Sequence, residues 1–183
     1  TQQLPFFDGP GEAAFYGPKL DFMFRDAIGR EHQLATIQCD FNLPERFDLS
    51  FVNEQGEKER PVVIHRAIAG SLERFLGVAI EHFSGAFPVW MAPVQVAIVP
   101  VRENHQDYAD QISKILLESN IRFDLISGNE SLGKRIHQAK KFNTPYIIVL
   151  GDKEIESGML TIEKRDGTKI QMALTDFITH VSE

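Results

Sequence analysis

Gly70-Ser71-Leu72-Glu73-Arg74 puts an arginine one turn into a helix that a Gly-Ser pair opens. A guanidinium there is suited to bidentate contact with a phosphate. The alternative is a solvated arginine on an amphipathic helix, which is common. His65 lies in the apolar run PVVIHRAIA, directly before Arg66. It reads either as a half-buried histidine or as a metal ligand, and a zinc site needs three or four protein ligands. Cys39 is the only thiol, and no pair of histidines has metal-binding spacing, so a metal on His65 takes its other ligands from outside this chain. Tyr16-Gly17-Pro18-Lys19 offers a hydroxyl and a point charge inside a strand-like run, or else a β-bulge with a solvated lysine. Gln33 and Gln38 differ in parity, and odd and even positions of a strand face opposite sides. A polar side chain on an inward face needs partners, and a ligand can supply them.

A second group lies further along. Asn129, Glu130, Lys134, Arg135, Lys140 and Lys141 form a mixed patch on and before a short helix. Such a patch suits phosphates and unstacked bases. Judged by charge alone, it is equally a solvated helix face.

The elements that must hold these residues change style along the chain. Residues 13–52 read as extended, with a hairpin turn at Ile28-Gly29-Arg30 and an exposed turn in NEQGEKER. PVVIHRAIA reads as a buried strand opened by Pro61, where a missing N–H is tolerated. Leu72, Phe75, Leu76, Ala79, Ile80 and Phe83 then recur at helical spacing, and Gly85 and Pro88 end that helix. The first region is therefore expected to be an antiparallel sheet with one helix packed on it. Beyond Pro88 and Pro93 strands and helices alternate. VQVAIVPV is a strand, Asn104 with Asp107 starts a helix, and IRFDLI is a strand. SLGKRIHQAKKF is a basic helix, and PYIIVL is a strand buried on both sides. GMLTIEK and TKIQMAL flank the hairpin signal Asp166-Gly167, and TDFITHVSE closes as a helix capped by Thr175. The order β-α-β-α-β-β-β-α predicts a compact α/β sandwich with a largely parallel sheet.

Bulk properties bound the function. The chain has 183 residues, enough for one large domain or two small ones. With 43% hydrophobic and 25% charged residues it has the composition of an ordinary globular protein. Its net charge of −7 argues against bulk electrostatic binding to nucleic acid and leaves room for a local basic face. The lone cysteine excludes an internal disulfide framework, and no apolar run is long enough to span a bilayer. A cytoplasmic protein is expected. Thr1 is not an initiator and the first methionine is Met23, which suggests a piece of a longer protein or a processed chain.

Taken in order, GEAAFYGPKLDF, ATIQCDFNLPERFDL and RPVVIHRAIAGSLERFLGVAIEHFSGAFPVWMAPVQVAIVPV closely resemble the C-terminal half of bacterial-type threonyl-tRNA synthetases. GSLER looks like motif 3 of the class II enzymes. The resemblance covers nearly the whole chain, most strongly from Gly11 to Val96. It implies an α/β chain: residues 1–92 a C-terminal piece of the class II antiparallel-sheet core, residues 93–183 a compact anticodon-binding domain with a mostly parallel mixed sheet. Arg74 would hold the ATP γ-phosphate, and Lys19, Gln33 and Ser71 would line the adenylate site, with Arg74 and Lys19 the catalytic pair. Tyr16 and Gln38 would orient threonine. His65 would be one of three protein ligands to Zn²⁺, which would bind the substrate's amino and hydroxyl groups together, and valine lacks that hydroxyl. Mg²⁺ would accompany ATP. Asn129 and Glu154 would contact anticodon bases of tRNA(Thr), with Lys134 beside them. His32 stands where the family commonly has tryptophan, and Glu163 where relatives often carry an anticodon-reading arginine. Arg165, two residues on and hence on the same strand face, is the expected substitute.

The resemblance further implies that the intact protein is a homodimer that activates threonine with ATP and then acylates tRNA. This chain alone is expected to be inactive, since the family's motifs 1 and 2, two zinc ligands and the editing domain are not in it. Two other readings stand beside this one: a stand-alone anticodon-binding module without ligase activity, and a synthetase-like paralogue that has lost catalysis.

Overall fold

The computed structural model describes residues 5–182. The chain divides into two compact units between His82 and Phe83. The first holds strands β1 (Lys19–Arg25), β2 (Glu31–Asp40), β3 (Phe51–Val52), β4 (Lys58–Glu59) and β5 (Val63–Ala67), and helices α1 (Asn42–Arg46) and α2 (Leu72–Phe83). β1, β2 and β5 form an antiparallel sheet in that order, and β3 and β4 form a separate hairpin. The β1–β2 turn is where Ile28-Gly29-Arg30 predicts it. Gly29 has φ +85°, and Asp26 and Arg30 close the turn through backbone bonds. Between Phe22 and Met23 the register shifts, and Leu34 is the extra residue on β2.

Three expectations for this unit change. The stretch 13–52 is not all extended, because Asp40 Oδ1 accepts the amides of Asn42 and Leu43 and folds the next residues into α1. This is the local competition of an aspartate with the strand ladder. β5 is not buried: it is an edge of its sheet among the described residues, Ile64 is 64% exposed, and Ile68 just past the strand is 73% exposed. The apolar stripe of α2 is not covered either, since Leu72, Leu76 and Ile80 stay exposed and only Ala79 is buried.

The second unit contains β6 (Val96–Pro100), α3 (Gln106–Glu118), β7 (Phe123–Leu125), α4 (Leu132–Lys141), β8 (Tyr146–Leu150), α5 (Asp152–Ser157), β9 (Met159–Lys164), β10 (Lys169–Ala173) and α6 (Leu174–Ser182). Its five-stranded sheet runs β10-β9-β8-β6-β7. β6 is parallel to β7 and β8, while β8–β9 and β9–β10 are antiparallel, so the sheet is mixed. Alternation along β6 splits the core. Val96 and Ile98 pack with Ile112 and Leu116 of α3 and Phe177 of α6, whereas Ala97 and Val99 pack with Ala139 of α4. β8 is buried along almost its whole length, as its continuous apolar run predicts.

α5 has no counterpart in the sequence reading: GDKEIES has Ile155 as its one large apolar residue and so no apolar period. Its fold is set by Glu154, whose Oε2 accepts the Gly151 amide, and by Gly158 at φ +67° after its last turn. Thr175 does not cap α6, because the helix already includes Leu174. Glu183, expected at its end, lies outside the described residues. No helix of the described residues is long and apolar enough to cross a membrane.

Candidate functional site

In the first unit β1, β2 and β5 align a row of polar residues. Lys19 faces Gln38, and Gln38 faces His65, each as a direct cross-strand pair. The next row along joins Asp21 to Thr36. Lys19 Nζ donates to Asp21 Oδ2 at 2.7 Å, and Thr36 Oγ1 donates to Asp21 Oδ1 at 2.7 Å. These partners hold the Asp21 carboxyl below its ordinary range, Lys19 foremost, against the opposing effect of burial. Gln33 also donates to Asp21 Oδ1, at 2.7 Å. Strand parity puts Gln33 on the opposite face from Gln38. The extra residue Leu34 cancels that parity and turns both glutamines to one side.

Tyr16 reaches the same face because its own backbone extends the sheet. Its carbonyl accepts the Phe41 amide and the Pro18 carbonyl accepts the Cys39 amide, both at 3.0 Å. Gly17 lies between them at φ +152°, and a Cβ there would stand 2.2 Å from the Cys39 carbonyl oxygen. Only glycine allows the approach. The Tyr16 hydroxyl then donates to Gln38 Oε1 at 2.8 Å, and its ring lies 6.2 Å from that of His65. Tyr16, Gln38, Asp40 and His65 line one cavity of about 370 Å³, with Asn42, Leu43 and Arg46 of the α1 region on its wall.

His65 Nε2 donates to Asp40 Oδ2 at 2.8 Å, and Asp40 is buried. The Leu43 amide, then His65 and the Asn42 amide hold the Asp40 carboxyl below its usual range, outweighing burial. One ring nitrogen on a carboxylate and the other turned to a metal is the usual orientation of a metal-bound imidazole. The donor set fits zinc to that extent and no further, since no cluster of three ligand-type side chains occurs among the described residues.

The Gly70-Ser71 entry to α2 forms as its sequence requires. Gly70 has φ +61°, and a Cβ on it would lie 2.8 Å from the Leu34 carbonyl oxygen, at the bulge. Ser71 Oγ accepts the Arg74 amide at 3.3 Å, which makes it the helix N-cap, and donates to Glu73 at 2.7 Å. Arg74 projects from the first turn and is exposed. His32 bonds to Asp26 at 3.1 Å, and Arg30 bonds to the same carboxylate, so this histidine braces the hairpin.

In the second unit the candidates gather past the C-terminal ends of β7 and β8, the edge at which open α/β sheets receive ligands. Asn129 is exposed in the bend after β7, and Lys134 on α4 pairs with Glu130 at 3.7 Å. Glu154 accepts from the Gly151 amide and, through Oε1, from Thr161 Oγ1 at 2.7 Å, so both its oxygens have partners. Two members of the expected basic patch are elsewhere engaged. Lys140 pairs with Glu163 across the unit, and Arg135 is buried. Arg165 does not share a strand face with Glu163, because β9 ends at Lys164 and Arg165 lies in the following turn. Its guanidinium donates to the carbonyls of Asn143 at 2.8 Å and Phe87 at 2.7 Å. Sequence reasoning missed one residue in each unit: Asp40 in the first, read only as part of a strand, and His105 in the second, whose buried imidazole bonds to Asp152 at 2.9 Å. The signal for Asp40 was present in Asp-Phe-Asn, an aspartate two residues before a polar helix start.

Residues 7–83 match the family model for the tRNA synthetase class II core domain (G, H, P, S and T), and residues 95–183 match that for the anticodon binding domain. A threonine–tRNA ligase of Thermotoga petrophila is 52% identical over 161 residues, which is 88% of this chain and 25% of that protein. One from a Geobacter species is 51% identical over 178 residues, 97% of this chain and 28% of that protein. The chain thus spans about a quarter of the length of the curated relatives it matches. Among solved structures, the RNA binding domain of threonyl-tRNA synthetase from Cryptosporidium parvum superposes with a TM-score of 0.85 at 35% identity, covering 94% of this chain and 44% of that one. A putative threonyl-tRNA synthetase from Aeropyrum pernix gives 0.64 at 33% identity, covering 94% of this chain and 41% of that one.

Proposed function

We propose, from the premise that this chain belongs to the threonyl-tRNA synthetase family and joins a class II core segment to an anticodon-binding domain, that it forms part of a ligase that activates threonine with ATP and transfers it to tRNA(Thr). The observation that carries this reading is the cross-strand row Lys19–Gln38–His65, with the Tyr16 hydroxyl on Gln38. It sets a point charge, an amide and an imidazole side by side on one face of the sheet, with the amide and the imidazole lining one cavity.

In this reading the domain boundary falls near residues 92 and 93. Tyr16 and Gln38 orient the amino acid. Lys19 and Arg74 place positive charge on the phosphates of ATP, with Gln33 and Ser71 along the same wall and Mg²⁺ on the nucleotide. His65 contributes one imidazole to a zinc site whose other ligands lie outside this chain. A zinc ion there would take the substrate's amino and hydroxyl groups together and so reject valine. The protein's own part is positioning and electrostatic stabilisation of developing charge, without a covalent enzyme intermediate. Asn129, Lys134 and Glu154 meet the anticodon loop, and Arg165 supports the turn beside Glu163. The intact protein acts as a cytoplasmic homodimer.

The test is a titration of this chain with the anticodon stem-loop of tRNA(Thr) and with an unrelated stem-loop at physiological salt, paired with ATP–pyrophosphate exchange. Binding that prefers the threonine stem-loop, without exchange activity, is expected. Absence of preference would overturn the anticodon assignment, and exchange by this chain alone would overturn its dependence on the rest of the core. The closed core of the second unit favours a further reading, that residues from about Pro93 onward bind RNA as a free-standing module. Binding that survives deletion of the first ninety or so residues supports that module.

A further inference from the structure

We infer that Arg135 is a positioning residue for base recognition: its guanidinium builds the arch that presents Asn129. This rests on the anticodon-binding reading of the second unit. Arg135 sits at the end of the first turn of α4 and is only 7% exposed. Among the described residues it pairs with no carboxylate. It is engaged instead by four backbone carbonyls. Nε donates to Glu130 at 3.1 Å, Nη1 to Pro100 at 2.5 Å and Ile126 at 3.4 Å, and Nη2 to Val101 at 3.2 Å.

The choice of those four carbonyls is the argument. Ile126 and Glu130 are the two feet of the bend after β7, and Ser127, Gly128 and Asn129 span the space between them as exposed residues. Pro100 ends strand β6, and Val101 follows it directly. One planar group therefore fixes both feet of the arch and ties them to the most deeply buried strand of the unit. Gly128, at φ +134°, supplies the backbone conformation the arch needs. A cation in the first turn of a helix works against the helix dipole. Four carbonyl dipoles offset that cost at this position. The donors of guanidinium are rigid and coplanar, whereas an ammonium is a compact point with three donors on a flexible stem. Lysine keeps the charge and cannot span both feet and β6 at once.

The experiment uses the full chain, titrated with the tRNA(Thr) anticodon stem-loop and with the same stem-loop changed at one anticodon base. Arg135→Lys and Asn129→Ala are compared singly and together, with circular dichroism to check the fold. Arg135→Lys is expected to weaken cognate binding about tenfold or more and to abolish discrimination between the two stem-loops, and Asn129→Ala should add little on that background, as coupled neighbours do. A folded Arg135→Lys that keeps wild-type discrimination overturns the proposal. If Arg135→Lys does not fold, Gly128→Ala distorts the arch without touching the guanidinium: lost discrimination supports the proposal, and retained discrimination overturns it. A wild-type chain with no preference between stem-loops overturns the anticodon reading itself and this proposal with it, an outcome distinct from a selective wild type with unaffected variants.

Discussion

Asp40 Oδ2 lies 2.8 Å from His65 Nε2, while its other oxygen accepts the amides of Asn42 and Leu43. One buried carboxylate thus orients the imidazole and starts the helix that walls the cavity. Asp40→Asn retains an acceptor for the backbone and loses the one for His65. In a protein that supplies the remaining ligands of the proposed zinc site, this variant should bind zinc about 10–100-fold more weakly, the usual cost of losing such a partner. Competition with a chelator measures it. The pH dependence has a definite sign. Because the native carboxyl titrates below its ordinary value near about 3.9, its stabilisation is fully present above that value and is lost as pH falls through the depressed one. Denaturation of wild type and Asp40→Asn should differ above about pH 5 and converge in stronger acid.

Gly17→Ala should cost more than about 1 kcal/mol, since its φ is positive and the new Cβ meets a backbone carbonyl. The first unit alone should lose that stability. Equilibrium denaturation read through a probe in each unit distinguishes this from a general loss, and an unchanged first unit would contradict the steric account.

Arg165→Ala leaves the carbonyls of Asn143 and Phe87 without their side-chain donor. A loss of about 0.5–1.5 kcal/mol in the second unit is expected, with faster amide exchange around residues 85–94. Partial burial lowers the Arg165 pKa, although the residue as a whole stays exposed. If Arg165 instead reads bases directly, the variant will lose stem-loop affinity and keep its stability.

Ile148→Ala and Ile64→Ala make a contrast between the units. Ile148 is fully buried at the sheet centre, so its truncation should cost about 2–5 kcal/mol. Ile64 is 64% exposed, so in this chain its truncation should change stability by no more than about 0.5 kcal/mol. Chemical denaturation of the two variants checks both numbers.

The second unit was largely legible because its signals are local and agree. PYIIVL is apolar at every position, Asp166-Gly167 forms its turn, and α3 and α4 carry clear helical stripes. α5 was not, since a polar six-residue helix held by Glu154 has no period to read. In the first unit Ile64 and Leu72 read as buried because the sequence shows only that they are apolar, and in the structure both are exposed. The candidate site was legible in residue types, as with Tyr16, Gln38 and His65, but not in partners. Asp40 acts through tertiary contact with a residue on another strand, and Arg135 looked like a surface cation because charge alone does not reveal that four carbonyls surround it.

The extra residue at Leu34 gives β2 one residue of slack. A strand with perfect alternation has none, and losing or gaining a residue inverts every side chain beyond the change. Here a single deletion between Gln33 and Gln38 can be absorbed by straightening the bulge, which leaves both glutamines on one side of the sheet. An insertion at the same place has no such reserve. Strand β2 should therefore be asymmetric toward length variation, forgiving when shortened by one and intolerant when lengthened.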